Sequence, residues 1–113
     1  MSEDRISIVI GFSTAPNEDV ARALGEKLVR EGLAACVNVV PDIRSIYVWK
    51  GEIVEDSESL MIIKTRKDLV DKVRQVFEKE HPYEVPELIF IDVVGGHKPY
   101  IEWVIENTKD EGG

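Results

Sequence analysis

The sequence predicts an α+β fold in which helices pack on one face of a single sheet. Two observations indicate this class. Runs with an apolar residue at every second position, typical of strands, alternate along the chain with runs of helical spacing. The chain has 113 residues, of which 43% are hydrophobic, and this is enough for one domain with one core. We therefore treat residues 1–113 as a single domain.

The first strand is predicted over Arg5–Ser13 and the first helix follows it. The larger apolar residues of the strand recur at every second position and are expected to form its covered face: Ile6, Ile8, Ile10 and Phe12. Pro16 is expected in the first turn of the helix, where its missing N–H costs no hydrogen bond. Gly32 is a natural stop for the helix.

A long, bent strand is predicted from Leu33 to Trp49, interrupted at Pro41, which cannot donate to the ladder. Lys50-Gly51 then provides a turn into a returning strand, Glu52–Thr65. This hairpin is much longer than the usual strand of about five or six residues. Its apolar end cannot lie over a small helix layer, so we expect another subunit to cover it.

The second half of the chain predicts a helix from Asp68 to His81-Pro82, a strand over Leu88–Val94 and a helix over Pro99–Thr108. Residues 109–113 are expected to form a frayed tail. The resulting order is that of a ferredoxin-like split β-α-β fold with a long hairpin and an extra C-terminal helix. The last helix is expected to pack through four residues: Tyr100, Ile101, Val104 and Ile105.

Charge and cysteine content restrict the partners and the compartment. The chain has 14 basic and 22 acidic residues, a net charge of −8, which disfavours nucleic acids and anionic membranes as partners. The lone Cys36 cannot form an intramolecular disulfide, and the N-terminal residues lack the pattern of a signal peptide. Apolar stretches fall far short of the roughly 20 residues that span a bilayer. We expect a cytoplasmic protein.

The residues that could carry chemistry favour binding over catalysis. Ser13 lacks the complete motif of a nucleophile elbow and is better interpreted as a polar end of a strand. Glu80–Glu87 combines an imidazole, a phenol, carboxylates and two prolines, which suits divalent copper, zinc or nickel, although a His-Pro pair also ends helices. Cys36 is either a small buried hydrophobe or a soft metal ligand. No enzyme and no organic cofactor are expected.

Five motifs occur in order along the chain: Thr14-Ala15-Pro16, Ala34–Asn38, Tyr47–Gly51, Lys64-Thr65 and His81–Glu87. Together they resemble the motifs of one known family, the CutA divalent-cation tolerance proteins. The resemblance implies a ferredoxin-like homotrimer in which hairpins join strands of neighbouring subunits. It also implies tolerance to copper and other divalent cations, copper binding, and an architecture similar to the trimeric PII signalling proteins. No enzymatic reaction is implied.

Carried over position by position, the resemblance places the metal site at His81. Some relatives have cysteine where this chain has Ser13, and two histidines where it has Glu80 and His81. The set remaining here therefore implies a harder, weaker site of the kind that Cu(II) or Zn(II) accepts, formed by His81 with Ser13, Glu80 or Tyr83. Cys36, which matches a family cysteine, keeps a soft site open.

Two other interpretations stay open at this stage. In the first, the protein is a PII-like sensor or signalling scaffold whose clefts between subunits accept a small ligand. The residues expected to line such a cleft are Trp49, Lys64, Arg66 and Tyr83. In the second, the protein is a ligand-free scaffold for an unknown protein partner.

Overall fold

A computed structural model describes residues 7–109, in which four strands form one antiparallel sheet and three helices pack on it. The elements are β1 (Ile8–Ala15), α1 (Glu18–Arg30), β2 (Cys36–Trp49), β3 (Glu52–Arg66), α2 (Val70–Glu80, after a 3-10 turn at Lys67–Leu69), β4 (Ile89–Asp92) and α3 (Lys98–Glu106). The strand order is β2-β3-β1-β4. This is the predicted α+β, ferredoxin-like arrangement.

The face of β1 that lies against α1 and α2 carries its smaller residues. Val9, Ser13 and Ala15 are buried there, whereas Ile8, Ile10 and Phe12 are on the other face. Ile8 is buried against Val104 of α3, and Ile10 and Phe12 are half-buried. The expectation that the larger residues form the covered face was therefore wrong for Ile10 and Phe12, whereas Ile8 is buried, under α3. The face of β1 that carries Gly11 has no room for a large side chain at this position, because even a Cβ there would lie 2.5 Å from the ring of Phe90.

The first helix begins at Glu18, two residues after Pro16. Asn17 is the N-cap, and its Oδ1 accepts a hydrogen bond from the backbone N–H of Val20 at 2.9 Å. Pro16 precedes this cap and is not in the first turn, so that expectation was wrong. At the other end Gly32 has a positive φ of 74°, which confirms it as the stop.

The hairpin of β2 and β3 is continuous and bent, as predicted, although β2 begins at Cys36 and not at Leu33. Its register shifts by one residue between Val40 and Ile43, around Pro41. Lys50 and Gly51 both have positive φ, 54° and 79°, as a two-residue type I′ turn requires. The hairpin extends beyond the sheet and contributes to the 51 Å length of a molecule that is only 26 and 22 Å across. Large apolar side chains are exposed near its tip: Ile46, Val48, Trp49 and Ile53.

The C-terminal helix α3 packs on the sheet face opposite α1 and α2. Val104 is fully buried against Ile8 and Ala35, with Ile101 and Ile105 beside it. Tyr100 is 42% exposed, so its predicted packing role was wrong. Its ring instead stacks on the exposed Trp103, at 5.7 Å between ring centroids.

Only one residue of the predicted C-terminal tail is described. The backbone N–H of Lys109 donates to the carbonyl of Gly32 at 2.8 Å. Lys109 is therefore attached to the end of α1, and the prediction that it is frayed was wrong. Residues 110–113 of that tail, like Arg5 and Ile6 of the predicted first strand, lie outside the described residues.

Candidate functional site

His81 is buried at the point where α2 ends, with 8% of its surface exposed. Pro82 follows it and favours the extended backbone that His81 adopts. Nε2 of the ring lies 2.8 Å from the carbonyl oxygen of Thr14, and the backbone N–H of Tyr83 donates to Nδ1 at 3.1 Å. A carbonyl can only accept, so Nε2 carries the proton and Nδ1 the lone pair. Both ring nitrogens are therefore hydrogen-bonded.

The loop after α2, residues 81–88, is fastened to the end of β1 at two points. His81 binds Thr14 at one end, and the buried hydroxyl of Ser13 donates to the carbonyl of Glu87 at 2.7 Å at the other. The His81 ring also lies between two aromatic rings, with centroids 5.7 Å from Phe77 and 4.9 Å from Tyr83. Two of the predicted metal ligands thus hold this loop in place.

Tyr83 joins the same loop to the hairpin. Its hydroxyl donates to Glu58 at 2.8 Å, and burial together with this hydrogen bond raises the pKa of Tyr83. Tyr47 makes a similar bond to Asp56, which raises the pKa of Tyr47. Both phenols are therefore protonated at neutral pH, and each donates a hydrogen bond to a carboxylate. Sequence reasoning missed the pairing of Tyr83 with Glu58, since no local pattern connects residues 25 positions apart.

The remaining predicted metal residues point elsewhere. Glu80 pairs with Lys27 of α1 at 3.3 Å. Cys36 is half-buried and pairs in register with Lys64, on the sheet face opposite Ser13. The structure thus gathers Ser13, His81 and Tyr83 around the end of β1 and leaves Cys36 apart. Within residues 7–109, no three His, Cys, Asp or Glu side chains lie close enough together to hold a metal ion.

The four residues predicted to line a small-ligand cleft are not neighbours within one chain. Trp49 is beside the hairpin turn, with its ring under the ammonium of Lys50, 5.9 Å from the centroid. Lys64 is 12 residues along β3 from the turn, which corresponds to roughly 40 Å of extended strand. Arg66 makes a two-pronged ion pair with Asp68, at 2.9 and 2.8 Å. A cleft that includes Trp49 and Lys64 therefore requires a second subunit.

Comparison with known proteins identifies the family. The family model described as CutA1 divalent ion tolerance protein matches residues 9–107. The chain belongs to the CutA1 family. The match includes the hairpin, the end of β1 and the His81 loop, so the site described above lies within the family domain.

Across the described residues 7–109, no helix is both long and apolar enough to cross a membrane.

Individual CutA relatives agree in sequence and in fold. The mouse protein named Protein CutA is 48% identical over 103 residues, which are 91% of this chain and 58% of the mouse protein. The divalent-cation tolerance protein CutA of Thermus thermophilus is 45% identical over 84% of this chain and 92% of its own length. A crystal structure of CutA1 from Oryza sativa superposes with a TM-score of 0.90 at 38% identity, covering 93% of this chain and 96% of that one. The chain thus spans little more than half of the mouse relative.

Proposed function

We propose that this chain contributes to divalent-cation tolerance by binding a divalent metal ion weakly at His81, without catalysing a reaction. Membership of the CutA1 family supports the tolerance role, and the Thermus relative is named for it. The observation that supports weak binding is the hydrogen bond from the backbone N–H of Tyr83 to Nδ1 of His81. Copper, as Cu(II), and zinc are the ions we favour.

The hydrogen bonds of His81 explain why the binding is weak. A metal ion needs a lone pair on the imidazole, and the lone pair on Nδ1 already accepts the N–H of Tyr83. Coordination at Nδ1 therefore breaks this bond and leaves a half-buried N–H without its partner, at a cost of about 1–3 kcal/mol. The segment following His81 must also move, because the ring is buried.

The donor set near His81 suits a hard or borderline ion. The hydroxyl of Ser13 and the phenol of Tyr83 are oxygen donors, which favour Cu(II) or Zn(II) over Cu(I), and Glu80 would have to leave Lys27 to join them. Each of them already has a hydrogen-bond or ion-pair partner in the chain, which lowers their affinity further. The thiol of Cys36 is on the other sheet face and would belong to a separate, softer site.

We also propose that three chains assemble into a homotrimer in the cytoplasm. Its support is the apolar hairpin tip, where Ile46 and Ile53 are 67% and 79% exposed in the single chain. A monomer with such side chains grouped at one end exposes an apolar patch of the kind that marks an interface. Light scattering tests the assembly, with an expected mass three times the 12.8 kDa of one chain.

The metal proposal is tested by calorimetric titration of metal-stripped protein with Cu(II), Zn(II) and Ni(II). His81→Gln is the test variant, because its amide nitrogen is able to keep the bond to Thr14 while the imidazole is lost. His97→Gln is the matched control, since His97 is the exposed second histidine of the chain. We expect binding to fall at least about tenfold in His81→Gln, a loss of ~1.4 kcal/mol, and to persist in His97→Gln and Cys36→Ser.

Three results would contradict this assignment. The first is unchanged binding in His81→Gln, and the second is loss of binding in His97→Gln, which would show that the metal sits at an exposed histidine. The third is the absence of saturable binding to the unmodified chain. A loss in Cys36→Ser alone would move the site to the opposite sheet face.

A second candidate function is a PII-like small-ligand sensor whose cleft lies between subunits. The observation that favours it is the separation of Trp49 from Lys64 along β3, because assembled hairpins would bring the tip of one chain to the sheet of another. A thermal-shift screen with nucleotides and organic acids tests it, since a ligand specific for the folded state raises the melting temperature by mass action. No shift at millimolar ligand would count against this function.

A further inference from the structure

The backbone on both sides of Glu58 is attached to the bend of the hairpin. The hydroxyl of Ser57 donates to a carboxylate oxygen of Asp42 at 2.6 Å. The hydroxyl of Ser59 donates to the backbone carbonyl of Pro41 at 2.7 Å. Both bonds reach the stretch of β2 where the register shifts. The segment of β3 that carries Glu58 is therefore held in a fixed position.

Glu58 in turn holds the loop after α2 through one hydrogen bond. The hydroxyl of Tyr83 donates to Glu58 at 2.8 Å, and both residues are half-buried. Asp56, two positions away on β3, already accepts the hydroxyl of Tyr47. A hydrogen bond to a charged acceptor contributes more to stability than a hydrogen bond between neutral groups. Glu58 therefore keeps the side chain of Tyr83 against the hairpin.

Tyr83 also covers the lone pair of His81. Its backbone N–H donates to Nδ1 at 3.1 Å, and the two ring centroids are 4.9 Å apart. The other ring nitrogen, Nε2, is bonded to the carbonyl of Thr14. A ligand that takes the lone pair of Nδ1 must displace the backbone of Tyr83. The bond from the Tyr83 side chain to Glu58 opposes that displacement.

We propose that Glu58 is a positioning residue, which lowers the affinity of His81 for a divalent metal ion by holding Tyr83 over Nδ1. This inference rests on the proposed function, because it requires that the ion binds at His81. Glu58 acts on the ion in two opposite ways. Its charge attracts a cation, but water screens this attraction at a half-exposed position. Its hydrogen bond stabilises the metal-free loop and is lost when Tyr83 moves, so we expect this effect to exceed the attraction.

Calorimetric titration of the metal-stripped full chain with Zn(II) tests the proposal. Glu58→Ala removes the acceptor of the Tyr83 hydroxyl, so we expect Zn(II) to bind at least about threefold more tightly than to the unmodified chain. Glu58→Gln keeps a neutral acceptor and should give an intermediate affinity, which also keeps the test possible where the alanine variant folds poorly. Glu55→Ala is the matched control, because it removes the same charge from an exposed position of β3. It should bind Zn(II) no more tightly than the unmodified chain.

Hydrogen exchange of the Tyr83 backbone amide tests the positioning without any metal. This N–H is bonded to Nδ1, so it exchanges when the loop moves away from the imidazole. We expect exchange to be at least about threefold faster in Glu58→Ala and in Tyr83→Phe, and unchanged in Glu55→Ala. Since the first two substitutions break the same bond, the double variant should exchange no faster than either single variant. Circular dichroism and a melting curve show whether each variant keeps the fold.

The outcomes separate this proposal from the metal function on which it rests. Equal Tyr83 exchange in Glu58→Ala and Glu55→Ala would overturn the positioning role, whether or not metal binds. Saturable Zn(II) binding to the unmodified chain that is equal or weaker in Glu58→Ala would also overturn it and leave the metal function standing. If neither the unmodified chain nor a Glu58 variant binds Zn(II), both the metal function and this role of Glu58 are overturned.

Discussion

Nε2 of His81 lies 2.8 Å from the carbonyl oxygen of Thr14, so the end of α2 is joined to the end of β1 across 67 positions of sequence. Thr14 is followed in β1 by Ala15, where the strand ends, and its carbonyl is buried with the ring. A buried carbonyl and a buried imidazole each need a partner, and here each supplies it to the other. A residue predicted as a metal ligand thus has a structural role as well.

His81→Ala is expected to lower the free energy of unfolding by about 2–3 kcal/mol. The substitution leaves the N–H of Tyr83 without its partner and reduces the carbonyl of Thr14 to a long contact of 3.4 Å with the hydroxyl of Ser13, in a partly dry site. Urea denaturation at one fixed protein concentration measures it, because assembly makes the stability concentration-dependent. His97→Ala, at an exposed position, should change stability by less than about 0.5 kcal/mol. Equal effects of the two substitutions would contradict a structural role for His81.

The unmodified chain is expected to lose stability at alkaline pH relative to the variant Tyr83→Phe. Burial, together with the hydrogen bond to Glu58, raises the pKa of folded Tyr83 above its ordinary value of 10.0. The resulting stabilisation is complete below pH 10. It decreases at higher pH, because the unfolded chain then releases a proton that the folded chain retains. Unfolding free energies of both proteins between pH 8 and pH 11 measure this, and a difference independent of pH would contradict it.

Gly11→Ala is expected to destabilise the fold by about 1–3 kcal/mol through overpacking. The new methyl would lie 2.5 Å from the ring of Phe90, on the neighbouring edge strand β4. Adding Phe90→Leu should recover part of the loss, and a double-mutant cycle by urea denaturation measures this coupling. Gly95→Ala is the control, because a Cβ at Gly95 meets no atom within 4 Å. Additive effects at Gly11 and Phe90 would contradict the proposed contact.

Ile53→Glu is expected to weaken the proposed homotrimer. Ile53 is 79% exposed in the single chain, so the substitution costs little within a subunit but places a charge in an apolar contact between subunits. Light scattering across a dilution series should show a lower mass than for the unmodified protein. Lys50→Gln, three positions away in the turn, is the control, because it also lowers the net charge by one. An unchanged mass for Ile53→Glu would place the interface elsewhere.

The hairpin could be predicted almost completely because its signals are local. Lys50-Gly51 lies between two alternating runs, and Pro41 marks the point where the register shifts. The candidate site could be predicted only as a set of residue types. The histidine, phenol and carboxylates of Glu80–Glu87 are evident in the sequence, but the partners of His81 and Tyr83 are Thr14 and Glu58, which are distant in the chain.

The sequence by itself determined the order of strands and helices, the hairpin turn and the family, because each depends on residues close together in the chain. Only the tertiary structure decided which face of β1 lies against α1 and α2 and that both ring nitrogens of His81 are hydrogen-bonded. Both outcomes depend on contacts between distant segments, such as Gly11 with Phe90 and Thr14 with His81. Periodicity shows that a strand has two faces, but packing against the rest of the chain decides which face is buried.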